Sequence, residues 1–354
     1  MYTKPSTRSG LRLHLNENTA GCSPRVIEAL GRLTPAEIAR YPDYDGITAR
    51  VEQYFQVPAG WVQLVNGLDE GLHVAAAAAA TPKSRREAFF SGRSKKSLPT
   101  AFSGAVFPEP AFEMYRVCAD AVGLPVTAIP PKPGFAFPLD ELLGAAPRAA
   151  IVYLTDPNNP TGLAIPVGAV EQIAQSAPDT LVLVDEAYAD FSGRTIIGPA
   201  LGQHRNLIAG RTFAKGHGLA ALRIGALVAH PDTLAPIRAL LPPFSLNIAA
   251  VTALAAALDD DEWLRAYVAA SSESRERIYA WCDTHGYEYW RSEANFVLLR
   301  VGPIAPALAE QMAARGILIR DRSSAPGCAG CIRISAGSVE ATDRCLRALE
   351  DTLA

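Results

Sequence analysis

The chain has 354 residues, 49% hydrophobic and 19% charged, with a formal net charge of −3. That length suits about two domains, and that balance suits a globular enzyme. The charge leaves no electrostatic footprint for nucleic acid, and the longest greasy run, Gly71 to Thr81, is mostly alanine and far too short to span a membrane.

The start, Met1 to Arg8, is polar and lacks the apolar centre of a secretory signal, so a cytoplasmic location is expected. Six cysteines are scattered through the chain and are expected to be reduced thiols. Cys328-Ala-Gly-Cys331 has the spacing of a metal or redox pair, but no second pair completes a zinc site, and no metal is expected.

In chain order, Leu11 to Asn18 alternates and reads as a short edge strand or an extended arm. Ser23 caps a helix that has Pro24 in its first turn. Arg40 to Gly46 is loop chemistry, followed by an amphipathic helix over Ile47 to Tyr54. Val62 to Val65 predicts a strand running into Asn66-Gly-Leu-Asp-Glu-Gly71 and an alanine-rich helix. A glycine turn at a helix start gathers free N–H groups and the positive end of the helix dipole, which suits an anion; the plain alternative is an ordinary turn. Pro82 to Gly104 carries six basic residues against Glu87 alone and reads as an exposed loop.

From Ala105 onward, short apolar runs alternate with helical windows. The runs are Ala105–Phe107, Val126–Ile129, Ala149–Leu154, Leu181–Val184, Asn206–Ala209 and Arg223–Val228. That rhythm predicts an α/β fold: a mostly parallel sheet with helices on both faces, its ligand beyond the carboxyl ends of the strands. After Pro242-Pro243, two long helices (about Leu246–Ala257 and Trp263–His285) precede strands at Phe296–Leu299, Ile317–Arg320 and Cys331–Ser335, which predicts a smaller α+β domain. The division expected is residues 1–40 as arm and part of the small domain, 41–243 as the large domain, and 244–354 as the small one.

Three polar motifs fall at strand ends: Asp156-Pro-Asn-Asn-Pro-Thr-Gly162, Asp185-Glu-Ala-Tyr188, and the stretch Arg211 to Arg223 with Lys215 at its centre. Gly210, Gly216 and Gly218 would let backbone approach a ligand closely there. A Lys in such an enclosed place loses hydration, so its amine becomes a usable nucleophile toward a carbonyl cofactor. Asp185 ends a buried strand, where a carboxylate is costly unless paired, as it would be with a protonated ring nitrogen. The plainer alternatives are a surface Lys, a helix-capping Asp, a half-buried Tyr188 and a turn-forming Asn159.

The order of these motifs, with Lys215 and Arg223 eight positions apart, resembles the fold-type I aminotransferases that use pyridoxal phosphate. Asn16-Glu-Asn18, Arg40-Tyr-Pro-Asp43, Gly67-Leu-Asp-Glu70 and Ile332-Arg-Ile-Ser335 look like the histidinol-phosphate aminotransferase branch. The resemblance implies pyridoxal 5′-phosphate on Lys215 as Schiff-base lysine, Asp185 at the pyridine nitrogen, Tyr188 and Asn159 at the ring hydroxyl, and Phe112 stacked on the ring. It puts the phosphate on the amides of Gly67, Leu68 and Asp69 and on Arg223, with Tyr41 reaching in from a second subunit of a homodimer with shared active sites. Arg333, helped by Arg320, would take the acidic end of the substrate, with Asn16 beside it.

The implied reaction is transamination between a small-molecule amine donor, histidinol phosphate, and a 2-oxo acid acceptor, 2-oxoglutarate. An aminotransferase for aromatic or other amino acids, or a decarboxylase of a phosphorylated amino acid, uses a similar scaffold. The sequence departs from the family's pattern in three places: Ala214 replaces the usual Ser before the lysine, Ala20 replaces a Tyr in the N-terminal motif, and the Pro82–Gly104 segment is longer.

Overall fold

A computed structural model gives the structure of the chain and describes residues 9–81 and 104–353; the basic Pro82–Gly104 stretch, apart from Gly104, lies outside them. In chain order the strands are β1 (Leu11–Arg12), β2 (Val62–Val65), β3 (Ala105–Pro108), β4 (Val126–Ile129), β5 (Ile151–Thr155), β6 (Leu181–Asp185) and β7 (Leu207–Thr212). They continue as β8 (Gly225–Ala229), β9 (Glu288–Tyr289), β10 (Phe296–Arg300), β11 (Ile317–Leu318), β12 (Arg320–Asp321) and β13 (Cys331–Ser335).

Seven of them form one sheet in the order β2-β8-β7-β6-β5-β3-β4. Pairing is parallel from β7 through β4, while β8 runs against both β7 and β2. The central strands β5 and β6 are buried along their whole lengths. Strands covered on both faces need no alternation, which is why these segments read as continuous apolar runs.

Alternate side chains of the two strands go to opposite layers. Val152, Leu154, Val182 and Val184 pack on one face with the helices Tyr44–Phe55, Ala169–Ser176 and Ile248–Leu258. Ile151, Tyr153, Leu181 and Leu183 pack on the other with Leu68–Ala80, Met114–Ala121 and Pro231–Arg238. The alanines of Leu68–Ala80 give that helix a small radius, and its buried residues include Ala75, Ala76, Ala78 and Ala79.

A second sheet, β12-β13-β10-β9, is antiparallel and carries its own core of Val297, Leu299, Ile332 and Ile334 against the long helix Asp261–His285 and the last helix, Val339–Leu353. The expected extended segment at the chain start forms β1, which pairs in parallel with β11. Helix Ile248–Leu258 packs in the large-sheet core through Ala250, Ala253 and Leu254, so the change of neighbourhood comes after Leu258. Among the described residues no helix is long and apolar enough to cross a membrane.

Candidate active site

A cavity of about 600 Å³ lies where β5, β6 and β7 end, closed on the far side by the arm from Arg12 to Glu17 and by the second sheet. Thr155, Asp185 and Thr212, the carboxyl-terminal residues of the three strands, all line it. Parallel strands deliver their ends to one rim, which explains how motifs far apart in sequence meet here.

Lys215 stands on the turn after β7, and its Nζ donates to the Leu15 carbonyl at 2.9 Å. Burial, with the Arg333 guanidinium adding to it, brings its amine down to about 8. The neighbouring glycines have a different use from the one expected. A Cβ on Gly210 would meet Leu68, one on Gly216 would meet Asp190 and Leu264, and one on Gly218 would lie 2.4 Å from the Gly21 carbonyl oxygen. These positions admit other parts of the protein rather than a ligand. Asn18 Nδ2 donates to the Gly216 carbonyl at 2.8 Å, so the arm grips the lysine turn at two points.

Below that turn, Arg211 pairs with Glu186 at 3.3 Å and with Asp190 at 2.6 Å, all three nearly sealed from solvent. Burial pushes the Glu186 carboxyl up, and Arg211 pulls it back.

Asp185 accepts the Tyr115 hydroxyl at Oδ2 (2.9 Å) and the Ala187 N–H at Oδ1 (3.0 Å). Because Tyr115 has one O–H and gives it to Asp185, its second bond, 2.5 Å to Thr155 Oγ1, takes the threonine's proton. The chain of donors therefore runs from Thr155 through Tyr115 to Asp185. Burial raises the Asp185 carboxyl to about 6, against the lowering pull of the Tyr115 and Ala187 bonds.

Helix Leu68–Ala80 opens toward the cavity with no side chain capping its first turn, so its free N–H groups are available to an anion. Gly67 has φ +76°, and a Cβ there would lie 2.5 Å from Arg223 Nη2. Arg223 is itself left-handed and pairs with Asp69 at 3.0 Å. Thr212 and Ala214 line the same corner, with the Ala214 N–H held by Thr212 Oγ1 at 3.2 Å.

The opposite wall is rich in arginine. Arg333 is buried, donates to Asn159 Oδ1 and to the His14 carbonyl (2.8 Å), and lies 5.1 Å from the Phe296 ring centroid. Burial, with Arg322 and Arg320 nearby, lowers its guanidinium to about 10. Arg322 pairs with Glu113 at 2.5 Å and Arg12 with Glu17 at 2.5 Å. The lining contains six basic side chains (Arg12, Lys215, Arg223, Arg320, Arg322, Arg333) and four carboxylates (Glu17, Asp69, Glu113, Asp185). The excess of positive charge suits an anionic ligand.

Most residues expected at the site meet there: Asn16, Leu68, Asp69, Phe112, Asn159, Asp185, Tyr188, Lys215, Arg223, Arg320 and Arg333 all line the cavity. Asn16 spends its side chain on the protein, giving Nδ2 to Tyr188 Oη (3.0 Å) and accepting from Ser335 Oγ (3.1 Å). Tyr41 lies outside the lining and is 71% exposed, stacked on Phe244 with centroids 4.0 Å apart. Ala20 is exposed and also outside the lining. Tyr115, Thr155, Glu113, Arg322 and Arg12 were not expected. Cys328 and Cys331 are buried beside Trp290 and Leu298, and no group of three metal-ligating residues occurs among the described residues.

The family model for aminotransferase class I and II matches residues 8–349. The chain belongs to that family. This aminotransferase is 34% identical over 348 residues to a histidinol-phosphate aminotransferase of Symbiobacterium thermophilum, covering 97% of this chain and 90% of the relative. It is 33% identical over 353 residues to the enzyme of that name from Halalkalibacterium halodurans, covering 97% and 89%. Its fold matches the crystal structure of histidinol-phosphate aminotransferase from Sinorhizobium meliloti in complex with pyridoxal-5′-phosphate, with a TM-score of 0.83 and 24% identity over 98% of this chain and 92% of that one.

Proposed function

We propose that this aminotransferase binds pyridoxal phosphate at Lys215 and transfers the amino group of histidinol phosphate to 2-oxoglutarate, giving imidazole-acetol phosphate and glutamate. The observation that carries this reading is one cavity that holds both Lys215, whose amine burial brings to about 8, and Arg333, a buried cation paired with no carboxylate among the described residues. Relatives named for the same reaction, aligned over nearly the whole chain, support it.

The donor set fits the cofactor. Asp185 is buried and inclined to share a proton, as a partner for a pyridine nitrogen must be. The uncapped helix start with Arg223 fits a phosphate, and the Gly67 turn keeps that corner free of a Cβ. Tyr188 and Asn159 offer a hydroxyl and an amide to a ring oxygen, and Phe112 offers a flat apolar wall. When bound, the cofactor supplies a carbonyl that condenses with amines and a ring that accepts electrons released at the substrate Cα.

The protein supplies the rest. Lys215 Nζ, released from the Leu15 carbonyl, takes the donor's Cα proton as general base and would give it up as general acid at the carbon that was the cofactor's carbonyl, with its pKa placed near the working pH. Asp185, oriented by Tyr115 and the Ala187 N–H, holds negative charge at the ring nitrogen. Arg333 and Arg320 orient the donor through its phosphate, and the same cations suit the carboxylates of the acceptor. The exposed Tyr41–Phe244 pair is offered to a second copy of the chain, which would complete the site as a homodimer.

The test is the absorbance spectrum of protein loaded with pyridoxal phosphate, before and after histidinol phosphate is added without acceptor. The expected result is a visible band that disappears with the donor and is absent in Lys215→Ala. A band unmoved by histidinol phosphate but bleached by an aromatic amino acid would replace the donor. Carbon dioxide released with no need for an acceptor would make the enzyme a decarboxylase.

A further inference from the structure

Glu113 sits between Phe112, whose ring lines the cavity, and the helix Met114–Ala121 that carries Tyr115. Its carboxylate meets Arg322 at 2.5 Å. The two partners are unequally enclosed: the Arg322 side chain is 7% exposed and that of Glu113 is 41% exposed. Arg322 Nε is buried with no hydrogen-bond partner among the described residues, and so is Arg333 Nε on the same wall. Of the three arginines there, Arg333 and Arg320 have no ion-pair partner among the described residues, whereas Arg322 has one supplied by the chain itself.

A buried cation held by a more exposed carboxylate is a site with an internal competitor. Charge-assisted bonds of this kind are strong and directional. An incoming anion reaches Arg322 only by displacing Glu113 or by enduring its negative charge nearby. We propose that Glu113 is a specificity-determining residue: its carboxylate occupies Arg322 in place of a ligand phosphate and so tempers the cavity's hold on anionic ligands, phosphomonoesters above all.

This rests on the reading that the donor is a phosphorylated amine, and it explains a demand of that chemistry. A phosphomonoester and a dicarboxylate must enter and leave the same cation-rich cavity in turn. Binding both as tightly as possible would deepen the bound state without lowering the barrier. An internal carboxylate that takes Arg322 back as the ligand departs keeps the exchange reversible. The reciprocal effect is visible in Glu113: burial would raise its carboxyl, yet Arg322, with Arg320 behind it, holds it below its ordinary value.

The experiment uses the cofactor-loaded full chain and titrates inorganic phosphate by calorimetry, alongside kcat/KM for histidinol phosphate and for histidinol, the same amine without the anion. Glu113→Gln is expected to tighten phosphate about tenfold and to raise the preference for histidinol phosphate over histidinol by a similar factor, the size of one charged hydrogen bond. Arg322→Gln is expected to weaken phosphate binding, and in that background Glu113→Gln should have no further effect. If Glu113→Gln does not fold, Glu113→Asp, which keeps the charge but shortens its reach, should show part of the same gain. Phosphate binding unchanged or weaker in the Glu113 variants, or a gain that persists without Arg322, overturns the proposal. Should the wild type fail to convert histidinol phosphate, the donor assignment falls while the phosphate titration still decides the role of Glu113.

Discussion

Replacing Tyr115 with Phe removes the O–H that Asp185 Oδ2 accepts at 2.9 Å and keeps the ring stacked 4.9 Å from Tyr153. Both partners are buried, so solvent does not screen the loss. A hydrogen bond to a charged group contributes about 1.5–3 kcal/mol. At about 1.4 kcal/mol per pKa unit, its removal should lift the Asp185 carboxyl by about one to two units, from about 6 in the wild type.

Asp185 titrates higher in the folded protein than its ordinary 3.8, so the fold holds that proton more firmly than the unfolded chain does. Stability therefore falls as pH rises between the two values and levels off above the folded one. In Tyr115→Phe the fall continues further up the pH scale. The stability gap between wild type and variant should be wider at about pH 8.5 than at about pH 5, by about 1.5–3 kcal/mol. Urea denaturation of the protein without added cofactor, at both pH values, measures it; the Lys215 titration is common to both proteins and cancels. A gap of equal size at the two pH values would refute the assignment of the Tyr115 proton to Asp185.

The depressed Lys215 amine predicts that acylation of this residue in the cofactor-free protein, followed by peptide mass spectrometry, has its midpoint at about 8. Arg333→Gln removes a repelling cation and should move that midpoint upward. Arg211→Met leaves Glu186 and Asp190 buried without their cation and should cost about 3–5 kcal/mol in a denaturation experiment. The triple change that also carries Glu186→Gln and Asp190→Asn should recover part of that loss. Gly67→Ala puts a Cβ against Arg223 at a positive φ, with a backbone cost of about 1–3 kcal/mol. It should weaken retention of pyridoxal phosphate in equilibrium dialysis, and unchanged retention would show that this turn does not shape the phosphate corner.

The central sheet was legible because β5 and β6 are apolar up to their last residue, and a polar residue at the end of such a run marks the ligand rim. Asp185, Asn159 and Lys215 stood out for that reason. Tyr115 did not, although it lies three residues after Phe112, a spacing that brings side chains to one side of a helical turn. Its partner Asp185 is seventy positions away, and nothing local announces that contact. Arg322 had a usable signal: it is two residues beyond Arg320 in an extended segment, so both can face the same side. Glu113 had none, since its role depends on a residue 209 positions later. The glycines of the lysine turn suggest the close approach of a ligand, but sequence does not say what approaches, and here it is other parts of the protein. Gly21 and Cys22 fill that space at Gly218, Leu68 at Gly210, and Asp190 with Leu264 at Gly216. Helix Ile248–Leu258 follows the Pro242-Pro243 break yet packs with the large sheet, because a turn changes direction without changing the core to which an apolar face returns.

The N-terminal arm is paired to β11 at one end and holds Lys215 and Gly216 at the other, through Leu15 and Asn18. Few bonds separate the reactive nitrogen from the two-stranded β1-β11 sheet. The arm is thus a short tether between the lysine turn and the C-terminal half of the chain. The reactive nitrogen is thereby tied, through one continuous stretch of backbone, to an edge of the C-terminal half.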